Sequence, residues 1–251
     1  ARKSRGLGDV YKRQILQDRI NKVNFGLSYY AEQRKYVYWD ETYGYLRESI
    51  QATFPDDQVG MYASSDFSKI IITTSSDKSP GSAYFYDPQE GGIVQVAEYA
   101  PWLKDYELGD MIPFDFTSRD GLDLTGYITL PPDYRKGQKI PFIIHPHGGP
   151  NAKDRFGYNP EVQIYATRGY GVIQVNYRGS VGFGLEKMKL ANRQWSLKMH
   201  DDLLDALDWA NNKGFVDMNK VCISGASYGG YSAMVGICLL YTSPSPRDLR
   251  A

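Results

Sequence analysis

The stretch Val221-Cys222-Ile223-Ser224-Gly225-Ala226-Ser227-Tyr228-Gly229-Gly230-Tyr231 decides the fold. It reads as a short apolar strand, a sharp turn with one serine at its centre, and the start of a helix. The turn has the form G-x-S-x-G, with Ser227 in the middle. In a strand–turn–helix elbow the serine takes a strained backbone conformation that lifts its hydroxyl clear of the sheet. The helix N-terminus then aims amides at the reacting centre. Glycine is needed on both sides because a Cβ there would collide with the neighbouring strand or helix. The pentapeptide alone is a weak signal, since chance supplies about 0.2 copies in a chain of this composition. Its weight comes from the flanks. Lys220-Val-Cys-Ile-Ser224 is strand-like, and Tyr231-Ser-Ala-Met-Val-Gly-Ile237 suits a buried helix. The bland alternative is a Gly/Ser turn between two core elements.

Working upstream, the segment Met199–Asn212 carries Leu203, Leu204, Leu207 and Ala210 on one face and Asp201, Asp205 and Asp208 on the other, which is amphipathic helix spacing. Gly171-Val-Ile-Gln-Val-Asn-Tyr177 reads as a strand, a helix is expected over about 159–168, and Ile140-Pro-Phe-Ile-Ile-His145 is the continuous apolar run of a buried strand. Strand–helix–strand–helix–strand implies a parallel sheet with helices on both faces. Before it, Ile112–Thr117 and Leu124–Leu130 flank a turn at Asp120-Gly121 and read as a hairpin.

Residues 15–110 have a different texture, with short β-rich runs between turns. Lys69–Thr74, Ser82–Tyr86 and Ile93–Ala97 read as strands. At an offset of 47, Lys22-Val-Asn-Phe25 falls on Lys69-Ile-Ile-Ile72, and Tyr38-Trp-Asp40 falls on Phe85-Tyr-Asp87. A period of this size with about four strands each suits β-propeller blades, of which roughly two are present. The alternative is any antiparallel meander. Pro101–Asp110 reads as a linker.

The two ends fit neither pattern. Residues 1–14 are basic and aperiodic, and 238–251 interrupt a helix that is still building. Both resemble translated adapter sequence and are expected to be non-native tails. The organisation expected is therefore tail 1–14, partial propeller 15–110, hydrolase-type unit 111–237 and tail 238–251.

Composition narrows the function classes. Apolar residues make up 42% and charged residues 23% of the 251, ordinary for a soluble globular protein. The formal net charge is zero, so nothing points to a nucleic-acid or anionic-membrane partner. There is no apolar run long enough to span a membrane. Two cysteines, Cys222 and Cys238, make no disulfide framework, and Cys222 is expected to pack as a small hydrophobe. The compartment, cytoplasmic or periplasmic/secreted, and the oligomeric state are left open. Gly179-Ser-Val-Gly-Phe-Gly184 lacks the signatures of a phosphate loop or a dinucleotide site, and no Cys/His spacing suggests zinc. Asp201, Asp202 and Asp205 read as a solvated helix face rather than a metal site. No cofactor and no metal are expected.

An acyl-transfer serine needs a base, a group to orient it, and an oxyanion hole. The loop His145-Pro-His-Gly-Gly-Pro150, directly after a buried strand, suits the last role, because a tight Gly-Gly turn lets a backbone N–H approach without side-chain hindrance. The second donor would be the N–H of Tyr228, the residue after the nucleophile. His145 and His147 are expected to order this loop rather than transfer protons. In an α/β-hydrolase the chain order is Ser, then Asp or Glu, then His. All three histidines, His145, His147 and His200, precede Ser227, and the acid after it, Asp248, falls in the suspected tail. The acid and the base are therefore expected to lie beyond residue 237.

Four blocks together, His145–Pro150, Asn176-Tyr-Arg-Gly-Ser-Val-Gly-Phe-Gly184, Met199-His-Asp-Asp-Leu-Leu-Asp-Ala-Leu-Asp-Trp209 and Gly225–Tyr231, resemble the prolyl oligopeptidase family of serine peptidases, above all its acylaminoacyl-peptidase-like and dipeptidyl-peptidase-like branches. The resemblance covers nearly all of 15–237. It implies the N-terminal half of an α/β-hydrolase domain preceded by the last blades of a β-propeller. It implies that Ser227 is the nucleophile and that the amides of Gly148 and Tyr228 form the oxyanion hole. Some branches place a tyrosine hydroxyl where His147 stands, so that role is not carried over. The partner implied is an oligopeptide substrate cleaved through an acyl-enzyme, with this chain inactive for lack of the triad Asp and His. Two other functions stay open: a carboxylesterase-type α/β-hydrolase, and a non-catalytic binding scaffold.

Overall fold

A computed structural model describes residues 14–17, 22–30, 33–64 and 66–239. Of the two expected tails, only Gln14, Cys238 and Leu239 fall inside the described residues. The chain divides into two compact units: residues up to Glu107 with Phe156–Asn159, and Leu108–Arg155 with the rest from Pro160 onward.

The first unit opens with β1 (Gln14–Gln17), β2 (Asn24–Tyr30) and β3 (Arg34–Tyr38), a three-stranded antiparallel sheet. Then comes α1 (Glu41–Thr53), where the sequence suggested only strands and turns. Asp40 caps it, its side chain accepting a hydrogen bond from the Tyr43 amide at 3.1 Å. The strands β4 (Gln58–Ala63), β5 (Ile70–Ser75), β6 (Ser82–Tyr86) and β7 (Ile93–Glu98) follow as an antiparallel meander in sequence order. Ile70 and Ile72 point inward from β5 and pack with Val59 and Ile50, while Ile71 points out, the period-two alternation of a one-sided sheet. The offset of 47 sets β2 on β5 and β3 on β6. Where it would set a fourth strand on β7, the chain is α1 instead. Neither sheet closes on itself.

The second unit holds the hairpin β8 (Asp110–Thr117) and β9 (Asp123–Leu130), then β10 (Ile140–Ile144), α2 (Pro160–Ala166), β11 (Gly171–Asn176), α3 (Leu185–Lys189), α4 (Lys198–Asn212), β12 (Val216–Ile223) and α5 (Tyr228–Leu239). Its sheet runs β12-β10-β11-β9-β8. β10 lies parallel to both β11 and β12, and β9 antiparallel to both β8 and β11. Phe142, Ile144, Ile173 and Val175 are fully buried on the central strands, and Met199, Leu203, Ala206 and Ala210 of α4 pack on them. Each such side chain contributes roughly 1.5–3 kcal/mol on burial. The chain leaves β10, crosses to β11 on one side, and later returns to β12 on the other. The carboxyl ends of β10 and β12 thus flank a topological switch point, where open α/β sheets place their ligands.

Four side chains lie otherwise than the local pattern suggested. Asp202 is completely buried rather than on a solvated face. Cys222 is exposed on β12, which lies at the edge of the sheet formed by the described residues. The helix α5, read as buried, leaves Met234 and Ile237 more than half exposed. Among the described residues no helix is long and apolar enough to cross a membrane.

Candidate active site

Ser227 sits between β12 and α5 with φ of +55°, a left-handed conformation that costs a non-glycine residue about 1–3 kcal/mol. Its side is open to solvent. Ser224 N–H donates to the Ile144 carbonyl at 3.0 Å, so the sheet ladder continues to the foot of the turn before the chain reverses. Gly229 N–H donates to the Ala226 carbonyl at 2.9 Å and Tyr231 N–H to the Ser227 carbonyl at 3.0 Å, closing the first helical turn. Two glycines make room. A Cβ on Gly229 would stand 2.2 Å from the Pro146 carbonyl oxygen, so only glycine lets α5 lie against the loop after β10. A Cβ on Gly148 would stand 3.3 Å from both the Ser227 Cβ and the Ala226 carbonyl oxygen.

The structure therefore brings Gly148 and Ser227 into van der Waals range, although they are 79 residues apart. Tyr228 is the first residue of α5, so its amide has no intrahelical partner and points out of the helix end with the positive end of the dipole. Its ring is buried between Tyr177 and Trp195, each 5.1 Å away, and burial pushes its hydroxyl up to about 12. The tyrosine side chain is a packing element, and only its backbone faces the site.

Two of the three histidines, His145 and His147, are structural ties. His145 is buried, and its Nδ1 donates to the Ser224 carbonyl at 2.9 Å, fastening the β10 loop to the elbow. Its Nε2 lies 3.8 Å from Glu161 of α2. His147 Nδ1 donates to the Gly148 carbonyl at 2.7 Å, and its Nε2 accepts from the Ser180 hydroxyl at 2.9 Å. Its ring stacks on Tyr177, whose hydroxyl donates to the His147 carbonyl at 2.8 Å. Burial drops the His147 imidazole to about 4, so it is neutral at pH 7 and its tautomer is set by the Gly148 carbonyl. His200 is buried in α4, and neither ring nitrogen has a partner among the described residues. Burial lowers its affinity for a proton. None of the three hydrogen-bonds Ser227.

One group escaped the sequence reading. Arg178, in the loop after β11, is 4% exposed in its side chain and clamps two carboxylates. Its Nε and Nη2 donate to Asp202 at 2.9 and 2.7 Å, and its Nη1 and Nη2 to Asp120 at 2.9 and 2.8 Å. Its own amide also donates to Asp202 at 2.8 Å. The bond from Arg178 holds Asp120 well below the usual carboxylate range. This clamp fixes the loop that carries Ser180, hence His147, hence Gly148. An arginine directly after an apolar strand, with an Asp-Asp pair on the next long helix, was the signal available in the sequence.

Chemically, the arrangement offers an exposed hydroxyl on a strained turn, a helix N-terminus beside it, and a glycine loop in contact with it. Those parts suit attack on an acyl carbon with stabilisation of the resulting oxyanion.

Residues 156–242 match the model of the prolyl oligopeptidase family. Three of the four sequence blocks that carried the resemblance, 176–184, 199–209 and 225–231, lie inside that match, and His145–Pro150 lies before it. The chain is 36% identical over 196 residues to dipeptidyl aminopeptidase BIII of Pseudoxanthomonas mexicana, covering 76% of this chain and 28% of that protein. It is 35% identical over 192 residues to dipeptidyl peptidase family member 6 of Caenorhabditis elegans, covering 68% and 26%. Among solved structures it is similar to the acylaminoacyl peptidase of Pyrococcus horikoshii, with a TM-score of 0.61 at 22% identity, over 85% of this chain and 32% of the other. The chain thus spans little more than a quarter of the length of the curated relatives it matches.

Proposed function

We propose that this chain is part of a serine peptidase of the prolyl oligopeptidase family, with Ser227 as nucleophile and the amides of Gly148 and Tyr228 as oxyanion donors. The observation that carries the reading is the strained Ser227 at the strand–helix turn with Gly148 packed against it. Residues 111–237 are read as the N-terminal half of an α/β-hydrolase domain, supported by the sheet order β12-β10-β11-β9-β8 with its single antiparallel crossover at β9. Residues 15–110 are read as about two blades of a β-propeller, supported by the four-stranded meander β4–β7 and by the offset of 47.

In this reading Ser227 Oγ attacks the scissile carbonyl of a short peptide. The carbonyl oxygen gains negative charge between the two amides, and the amine leaves from a tetrahedral intermediate to give the acyl-enzyme. The serine proton needs an acceptor, and the three histidines are occupied or remote. In this reading the base and its orienting acid are groups other than these three histidines. Removing one oxyanion donor costs about a hundredfold to a thousandfold in rate. The names of the relatives favour an oligopeptide substrate with a short N-terminal portion. No cofactor or metal is required.

The test is a longer chain from the same gene that includes the acid and the base. Dipeptidyl anilides are expected to be cleaved in preference to short acyl esters, with loss of activity in Ser227→Ala. Preference for acyl esters would move the assignment to a carboxylesterase. An inert protein with both partners in place would move it to a binding scaffold.

A further inference from the structure

The segment that follows Gly148 is pinned to β11 by side chains that the proposed chemistry does not use. Asp154 N–H donates to Asn176 Oδ1 at 2.8 Å, and Asn176 Nδ2 lies 3.4 Å from both the Asp154 carbonyl and Thr125 Oγ1. Gln174 Nε2 donates to Asp154 Oδ1 at 2.9 Å. The remaining atoms of that pair are anomalous. Asp154 Oδ2 and Gln174 Oε1 are both shut off from solvent, and neither has a partner among the described residues. Each orphaned acceptor costs roughly 1–3 kcal/mol. Both belong to the same two side chains, already joined through the other half of the carboxyl and the amide. A carboxylic acid and a primary amide form a two-point ring when the acid keeps its proton. Nitrogen donates to one carboxyl oxygen, and the protonated oxygen donates to the amide oxygen. One proton on Asp154 satisfies both orphans.

We propose that Asp154 is held as the neutral acid, its Oδ2–H donating to Gln174 Oε1, and that this acid–amide pair is a proton-sensitive latch that positions the loop bearing Gly148. Ionisation sends the proton to solvent, leaves Oδ2 and Oε1 facing each other as two bare acceptors, and loosens the segment from β11. Burial is the main cause pushing the Asp154 carboxyl up to about 7, opposed by the Gln174 bond. The groups around it offer the anion little. β11 presents Gln174 and Asn176, and β9 presents Thr125 behind Asn176. Tyr177, from the end of β11, is the titratable neighbour, and a charge on Asp154 pushes its hydroxyl further up. The cations Lys153 and Arg155 are on Asp154's own segment, and neither is among the causes that move its titration. The pair itself does not depend on the peptidase reading; its consequence for an oxyanion donor at Gly148 rests on that reading.

The test is carboxyl-carbon NMR of the protein labelled at aspartate, recorded with amide spectra of glycine between pH 4 and 9. Asp154 is expected to titrate near pH 7, against about 3.9 for an unperturbed aspartate. The Gly148 amide should follow the same curve. Asp154→Asn supplies a permanent N–H where the acid has its O–H, so it should keep the low-pH Gly148 position throughout and abolish the titration. An Asp154 midpoint in the ordinary carboxylate range overturns the proposal. So does a Gly148 amide that ignores Asp154, or one that still titrates in Asp154→Asn. If the latch titrates as expected while the longer chain proves inert toward peptides and esters, the pair stands and the peptidase reading falls.

Discussion

The two walls of the Ser227 turn are built differently. The loop side is tied by polar bonds. His145 is fastened to Ser224, His147 to Ser180, Tyr177 to the His147 carbonyl, and Asn151 Nδ2 to the Gly179 carbonyl at 3.0 Å. Behind them stands the buried Arg178 clamp. The helix side has little of this. α5 is apolar all round, leaves Met234 at 65% and Ile237 at 54% exposure, and lies over an imidazole with no partner. In the proposed reading the loop that carries Gly148 has to be fixed to within fractions of an ångström, and directional bonds do that better than dispersion contacts. The helix needs only to start in the right place, and the close approach of Gly229 to Pro146 sets that start.

That contrast can be broken most severely at Arg178. Arg178→Met leaves buried Asp202 with the residue-178 amide but no countercharge, and a loss of about 3–5 kcal/mol in urea unfolding is expected. A loss under 1 kcal/mol would show that the loop wall does not depend on the clamp. Gly229→Ala drives a Cβ to 2.2 Å from backbone and should cost about 1–3 kcal/mol. It should also separate α5 from the loop, seen as loss of nuclear Overhauser contacts between residues 146 and 229.

Both walls should be acid-sensitive, the loop through His147 and the helix through the His200 beneath it. Burial lowers the proton affinity of both His200 and His147, so the unfolded chain binds more protons and stability rises with pH. The contribution is complete above the unfolded histidine value of about 6.5 and is lost as pH falls below it. His200→Gln should flatten the stability-versus-pH curve below about pH 6.5 (a curve parallel to the parent would remove His200 from the account). The smallest effect is expected at the bare face. Met234→Lys with Ile237→Lys should change stability by no more than about 0.5 kcal/mol yet reduce self-association in sedimentation.

Much of the second unit was readable because its signals are local. A glycine-flanked serine, a hairpin with Asp120-Gly121 at its turn, and an apolar stripe on α4 each declare themselves within a few residues. What stayed hidden depends on distant partners. Asp202 looks like its neighbours Asp201 and Asp205 in sequence, and only the guanidinium of Arg178, 24 residues earlier, makes burial affordable in free-energy terms. Cys222 looks buried because its strand is apolar, but it is exposed on a strand at the edge of the sheet formed by the described residues. The helix α1 was obscured by Gly44 and by Tyr43 and Tyr45, which favour other structure. The pairing of Gly148 with Ser227 was implied by the family resemblance, whereas the ties that hold it, from His145, His147 and Arg178, join residues too far apart in the chain to be read from local pattern.

The most direct measurement is capture of a fluorophosphonate, with the modified residue mapped by mass spectrometry, on this chain and on a longer chain that supplies the acid and the base. The account expects rapid labelling of Ser227 in the longer chain, none in its Ser227→Ala variant, and little in this one. Labelling at another residue, or undiminished labelling in Ser227→Ala, would contradict it.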